Sequence, residues 1–195
     1  MPPRLPAVRR RRQLLDVARH VFAARGFHPT SMNEIAEAAG VTKPVLYQHF
    51  RSKRQLFLLL LDDVGGQLRE SIGKATSEAH APRQQVEVGF RAYFRFVAQN
   101  QEAFQVLFGA GTRRDEEFDK KVRDVEEAIA EAIAALIEVE GLARDTRRLL
   151  AHGLVGLAEG TSRHWLATGL AGDPDELAAR VAELAWAGLR GIHGD

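Results

Sequence analysis

The chain has 195 residues, 45% apolar and 27% charged, with no cysteine, a composition that fits a globular protein of one or two domains and excludes disulfides, thiolate metal sites and cysteine nucleophiles. The longest apolar run, LFLLLL at 56–61, is too short to cross a bilayer, and no apolar segment follows the first arginines as a secretory signal would need, so no membrane partner and a cytoplasmic location are expected. The net charge of +1 hides an asymmetry: residues 1–55 carry eleven Lys/Arg against three Asp/Glu, whereas residues 56–195 carry sixteen against twenty-three, which points to a polyanion partner for the first part alone.

Strand signals are almost absent, and helical periodicity runs throughout. Leu14, Leu15, Ala18, Val21 and Phe22 form one helical face, which Gly26 ends by accepting a left-handed conformation. Arg9 to Arg12 extend this helix, and Pro2, Pro3, Arg4 and Pro6 read as a disordered extension. Next, Ser31-Met32-Asn33-Glu34 has the capping-box form, opening a short helix with Met32, Ile35, Ala36 and Ala39 on its buried face. Gly40 turns the chain. Thr42 is placed to cap a second short helix, and Pro44 fits its first turn, where no amide proton is required. Two short helices around a glycine turn make a helix-turn-helix. Six further helices follow: Ser52 to about Ala79, Pro82 to about Asn100, roughly 102–108, about Asp115 to Val139 with Gly141 as its stop, about 145–168 and about 175–191. The expectation is an all-α protein of about nine helices, divided into an N-terminal three-helix domain over 1–55 and a helical domain over 56–195.

On a helix turning about 100° per residue, Leu46 and Phe50 share the inner face of VTKPVLYQHF while Gln48 points away from it. Pro44 and Val45 also lie outward, with Tyr47 and His49 on the flanks and Lys43, Arg51, Lys53 and Arg54 at the ends. Such a surface suits a major groove. An amide such as Gln48 can bond an adenine edge, Val45 can touch a thymine methyl, Lys43 can reach a guanine or a phosphate, and the marginal cations meet phosphates.

From about Leu14 to Phe57 the chain resembles the DNA-binding domain of the TetR family of bacterial transcriptional regulators. The resemblance is carried by RGFHPTSMNEIAEAAGVTKPVLYQHFRSKRQLF, which covers both helices of the motif and the start of the next. It implies that Thr30, Ser31 and Asn33 meet DNA through the start of the second helix. It also implies that Thr42, Lys43, Pro44, Val45 and Gln48 face the major groove, and that Tyr47, His49 and Lys53 contact phosphates. A bracing role within the domain stays open for Tyr47 and His49. Arg9 and Arg10, with the rest of the Arg9–Arg12 run, admit three readings: a solvated helix end, a phosphate clamp or a minor-groove arm.

Seven of the fourteen aromatic residues lie between 90 and 118. They read either as plain core or as the lining of an apolar pocket between helices, and the resemblance implies an effector pocket in this part of the chain. Phe90, Phe94, Phe104, Phe108 and Trp165 are candidates for its wall. Arg95, with Arg91, Gln105, Glu159, Arg163 and His164, supplies candidate polar contacts, which suits a small lipophilic effector with an anionic head group such as an acyl thioester. The helix from Ser52 to about Ala79 would link that pocket to the reader. Leu150, Leu154 and Leu157, set among Gly153, Gly156 and Gly160, and Leu184, Gly188 and Leu189 form two further stripes. The resemblance implies that these pair with their copies in a homodimer, whose two-fold axis matches a palindromic double-stranded DNA operator. No cofactor or metal is expected. Without Cys, a G-x-S-x-G turn, a phosphate loop or H-E-x-x-H, no catalytic constellation is visible, and the reading is a ligand-released repressor rather than an enzyme.

Overall fold

Most of the helices begin where the sequence supplies a cap or a proline. The computed structural model describes residues 6–169 and 172–193, so the extension expected at Pro2, Pro3 and Arg4 lies outside the described residues. Among the described residues there is no strand. Ten helices occur there: α1 (Ala7–Arg25), α2 (Met32–Ala38), α3 (Lys43–His49), α4 (Lys53–Ser77), α5 (Pro82–Gln99), α6 (Gln101–Phe108), α7 (Ala110–Arg113), α8 (Glu116–Ala134), α9 (Arg144–Ala167) and α10 (Pro174–Leu189). The all-α expectation holds, and the four-residue α7 is too short to leave a periodic trace.

Local chemistry sets most boundaries. Gly26, at φ +80°, closes α1 with its amide on the Phe22 carbonyl at 2.7 Å. Ser52 precedes α4 and accepts from the Gln55 amide at 3.1 Å, while the Gln55 side chain reaches one residue further back and accepts from the Arg51 amide at 2.7 Å. Pro82 and Pro174 stand in the first turns of α5 and α10. Two expectations need correction. α8 ends at Ala134 rather than near Val139, because the chain tightens into short turns and Arg147 occupies the carbonyls of Leu142 (3.1 Å) and Val139 (3.3 Å). Gly141, at φ +78°, therefore serves a later turn and is not the stop of that helix. Thr42 does occupy the N-cap of α3, but its side chain makes no capping bond.

The chain divides into two compact units. The first comprises Met1–Gly65 with Gln101–Val122, and the second Gly66–Asn100 with Arg123–Asp195. In the first, α1 packs on α2 and α6, and α2 on α3. Leu14, Ile35, Leu46, Phe50, Leu56 and Leu61 are fully buried. A cluster of rings closes this core: Phe57 lies 4.9 Å from Phe22 and 4.6 Å from Phe118, and Phe27 lies 4.7 Å from Phe118. Each buried ring contributes roughly 1.5–3 kcal/mol from area alone. Residues 101–122 thus belong to the core of the unit that carries the helix-turn-helix. In the second unit α5 packs on α9 and α10. Phe94 is fully buried there, 6.1 Å from Trp165, and a small-residue seam of Ala130, Ala134 and Ala151 joins α8 to α9.

Candidate DNA-reading surface and effector region

The turn before α2 is built from backbone bonds that side chains complete. Ser31 accepts from the Glu34 amide at 3.2 Å and its own amide donates to the Glu34 carboxylate at 2.7 Å, so the capping box forms as expected. That amide bond, ahead of the Ser31 hydroxyl and the Arg25 guanidinium, holds the Glu34 carboxyl below its ordinary range. Thr30, 1% exposed, donates its hydroxyl to the Gly26 carbonyl at 2.8 Å. Its side chain is committed to the turn. Lys53, at the start of α4, donates to the carbonyls of Phe27 (2.8 Å), His28 (3.1 Å) and Thr30 (2.7 Å), with its ammonium 4.4 Å from the Phe27 ring centre. Burial pulls its pKa down from the ordinary lysine value, and Glu34 opposes that shift.

Across the next turn, α3 divides its faces as its sequence requires. Leu46 and Phe50 are fully buried, whereas Thr42, Lys43, Pro44, Tyr47 and Gln48 are exposed and Val45 and His49 are half-buried. Tyr47, 43% exposed, lies beneath the Lys43 ammonium at 6.0 Å, and His49 lies 6.3 Å from the Phe50 ring. Ser31 and Asn33 are exposed at the start of α2. The side chains of Ser31, Asn33, Thr42, Lys43, Pro44 and Gln48 therefore stand on exposed positions of the motif; those of Thr30 and Lys53 do not offer free donors.

The positive charge is spent unevenly. Arg12 pairs with Asp63 at 2.6 Å and with Asp16 at 3.4 Å. Arg25 pairs with Glu34. Arg54 grips Asp115 through two bonds of 2.7 and 3.0 Å, bonds Glu117, and stacks 4.7 Å over Phe118. The Arg54 bond lowers the Asp115 carboxyl below its ordinary range, and the Asp115 bond in turn raises Arg54. Arg10 bonds Gln13 at 2.8 Å, Arg11 stacks 5.2 Å over Phe50, and Arg9 is exposed. The Arg54–Asp115 tie escaped the sequence reading because 61 residues separate the pair and no spacing rule spans that distance.

The residues read as an effector wall fall into both units. Phe90, Phe94 and Trp165 belong to the second, where Phe90 and Phe94 stack at 6.5 Å; Phe104 and Phe108 belong to the first, 4.8 Å apart. Arg95 is held by Asp175 through bonds of 2.7 and 2.5 Å, and Glu159 by Arg163. Tyr93, one of the seven aromatic residues between 90 and 118, donates to or accepts from Ser162 at 3.0 Å, and its burial pushes the phenol pKa upward. An open recess of about 390 Å³ in the second unit is lined by Gly160, Thr161, His164, Trp165, Thr168 and Leu177. Along the proposed pairing stripes, Leu150, Leu154, Leu157 and Leu189 are half-buried, Gly188 is exposed and Leu184 is 62% exposed. Among the described residues no helix is long and apolar enough to cross a membrane, and no cluster of three or more His, Asp or Glu could hold a metal ion.

Comparison with known proteins agrees with this arrangement. Residues 14–60 match the family described as bacterial regulatory proteins, tetR family, and residues 82–188 match the tetracyclin repressor-like C-terminal domain. The HTH-type transcriptional activator FasR of Mycolicibacterium smegmatis is 34% identical over 187 residues, 95% of this chain and 85% of that protein. A solved TetR-like transcriptional regulator from Rhodococcus sp. RHA1 is 32% identical with a TM-score of 0.79, covering 97% of this chain and 100% of that one. The structure of FadR from Bacillus subtilis in complex with stearoyl-CoA superposes with a TM-score of 0.79 at 22% identity, over 93% of this chain and 99% of that one. These relatives are transcriptional regulators and not enzymes. With family matches over both parts of the chain and a one-third-identical relative along nearly all of it, the protein belongs to the TetR family of bacterial transcriptional regulators.

Proposed function

We propose that the protein binds a palindromic operator as a homodimer and leaves it when a lipophilic effector, of the long-chain acyl thioester class, binds the C-terminal domain over 56–195. The observation that carries the docking is the exposed face of α3: Gln48, Thr42, Lys43 and Pro44 stand outward while Leu46 and Phe50 anchor the helix from beneath. Gln48 reads an adenine edge, Val45 a thymine methyl, and Lys43 a guanine or a phosphate. Ser31 and Asn33 meet the backbone from the start of α2, with Arg9, Arg10, Tyr47 and His49 as phosphate contacts at the margins.

Pairing of two copies through α9 and α10 is supported by side chains that a single chain leaves without work. Leu149 is 70% and Leu184 62% exposed, and a Cβ added to Gly153, Gly156, Gly160 or Gly188 would meet nothing within 4 Å. The effector class is supported by the rings of Phe90, Phe94 and Trp165 and by the stearoyl-CoA bound to the FadR relative. Such a ligand releases DNA only through a preference for the non-DNA state, and a shift from mostly bound to mostly free needs about 5.5 kcal/mol of it.

Occupancy of an operator blocks polymerase without other machinery, which favours repression. The 34% identical relative is named an activator, so activation from an operator placed upstream of the promoter is the second reading. Titrating purified protein on DNA from beside its own gene, with stearoyl-CoA or free coenzyme A, tests the proposal. Sequence-specific retention at moderate salt, reversed by the acyl thioester and not by coenzyme A, is the expected result. Absence of specific retention would end the docking reading, and a response confined to small polar molecules would end the effector class. A reporter carrying the same operator, with and without the regulator, gives the sign.

A further inference from the structure

The lysine that opens α4 sits at a position where the family resemblance implies a phosphate contact, yet its donors are engaged elsewhere. A lysine ammonium has three N–H groups and no more. Three carbonyls, those of Phe27, His28 and Thr30, lie 2.8, 3.1 and 2.7 Å from Nζ of Lys53, and the Phe27 ring covers a further side at 4.4 Å. All three carbonyls belong to the turn between α1 and α2, whose backbone oxygens have no helical ladder to join. Thr30 is buried and ties back to Gly26, and the next residue is Ser31, the N-cap of α2. A single cation therefore gathers the turn that fixes where α2 begins. Without it, three carbonyl dipoles would converge unpaired, an arrangement that partly buried backbone does not sustain.

We propose that Lys53 is a positioning residue of the reader, setting where Ser31 and Asn33 at the start of α2 meet the operator, and that it does not neutralise a phosphate. This rests on the docking proposed above. The chemistry separates the two roles. A phosphate contact contributes about 0.9 to the slope of log affinity against log salt and accepts arginine, which binds phosphate at least as well as lysine. A cage of three convergent carbonyls suits a compact tetrahedral ammonium and rejects a longer planar guanidinium.

The experiment is fluorescence anisotropy of the full-length protein on its operator across a salt series, with Lys53→Ala, Lys53→Arg and Lys43→Ala. Affinities are expressed per folded molecule from thermal melts, which removes a loss of stability as an explanation. Both Lys53 variants are expected to bind roughly tenfold more weakly, the weight of a displaced charge-assisted contact, with the salt slope of the parent protein. Lys43→Ala is expected to flatten that slope by about 0.9. If Lys53→Ala flattens the slope and Lys53→Arg restores binding, Lys53 is a phosphate contact and the proposal is overturned. Should Lys53→Ala fail to fold, the salt slope and affinity of Lys53→Arg decide alone. If Lys43→Ala leaves the slope unchanged, the docking itself is wrong and the role given to Lys53 falls with it, an outcome distinct from failure of Lys53 alone.

Discussion

The two units treat their surfaces in opposite ways. The first ties down several of the charges it brings near the helix-turn-helix: Arg25 with Glu34, Arg12 with Asp63, Arg54 with Asp115 and Glu117, Lys53 with three carbonyls. Among the side chains it leaves exposed there are Ser31, Asn33, Thr42, Lys43, Pro44, Tyr47, Gln48 and Arg51. The second unit leaves apolar surface open instead. Leu149 and Leu184 are largely exposed, and four glycines on α9 and α10 have no neighbour that an added methyl would touch. A glycine inside a helix costs about 1 kcal/mol relative to alanine, so within one chain these residues carry a cost with no return. The lesson is one of subtraction. Cations already met inside the chain weigh less as contacts, and the side chains left exposed are those that the proposed duplex would meet on the first unit and the proposed second helix pair on the other.

The largest expected effect tests whether residues 101–122 belong to the reader's core. Phe118, fully buried between Phe27 and Phe57, should cost about 3–5 kcal/mol on substitution by alanine, read as a lower urea midpoint and lost operator binding. A loss below about 1 kcal/mol would detach that segment from the first unit. Gln48→Ala comes next, and it should leave the urea midpoint where it was. Specificity at one operator position should relax by about 1–3 kcal/mol, measured by competition among single-base operator variants. Equal weakening on every variant would mean that Gln48 does not read a base.

The contrast between the units also explains what could be read in advance. Elements fixed within a few residues were legible: the Ser31–Glu34 capping box, the Gly26 stop and the buried Leu46–Phe50 pair follow from local rules, and the helix-turn-helix with them. What failed depends on distant partners. Lys53 and Arg54 look alike in sequence as free cations, and only the fold brings three carbonyls to one and Asp115 to the other. The aromatic run from 90 to 118 reads as a single group, whereas the chain sends Phe90 and Phe94 to one unit and Phe104, Phe108 and Phe118 to the other. Sequence proximity misleads there because α6 packs on α1 through contacts far along the chain.

A third substitution turns the second unit's open face into a choice between opposite signs. In an unpaired chain Gly156→Ala would raise stability by about 1 kcal/mol through helix propensity, since the new methyl meets nothing. If α9 packs closely on its copy, the same methyl intrudes between the helices. The homodimer reading then expects the dimer dissociation constant to rise about tenfold, a cost of about 1.4 kcal/mol, followed by analytical ultracentrifugation. A dimer of unchanged affinity with a higher melting temperature would place the interface elsewhere.

The smallest effect isolates the Arg54 tie through pH. Asp115 accepts from the amides of Glu117 (3.1 Å) and Phe118 (3.3 Å) as well as from Arg54, so Asp115→Asn keeps an oxygen for the helix start while losing the charge. The folded state holds the Asp115 carboxyl below its ordinary range, chiefly through the Arg54 bond, so the unfolded chain binds the proton more readily. The stabilisation is therefore present above about pH 4, the ordinary aspartate value, and fades as pH falls through the lower folded value. Parent protein and Asp115→Asn should differ slightly in urea midpoint at pH 7 and draw together as pH falls below about 4, as the direction of this one shift requires. Because the pair is partly exposed, 1 M salt should narrow the gap at pH 7 too. A gap that persists unchanged at low pH would mean that Asp115 acts through its capping bonds alone, and Arg54 would then return to the cations available to DNA.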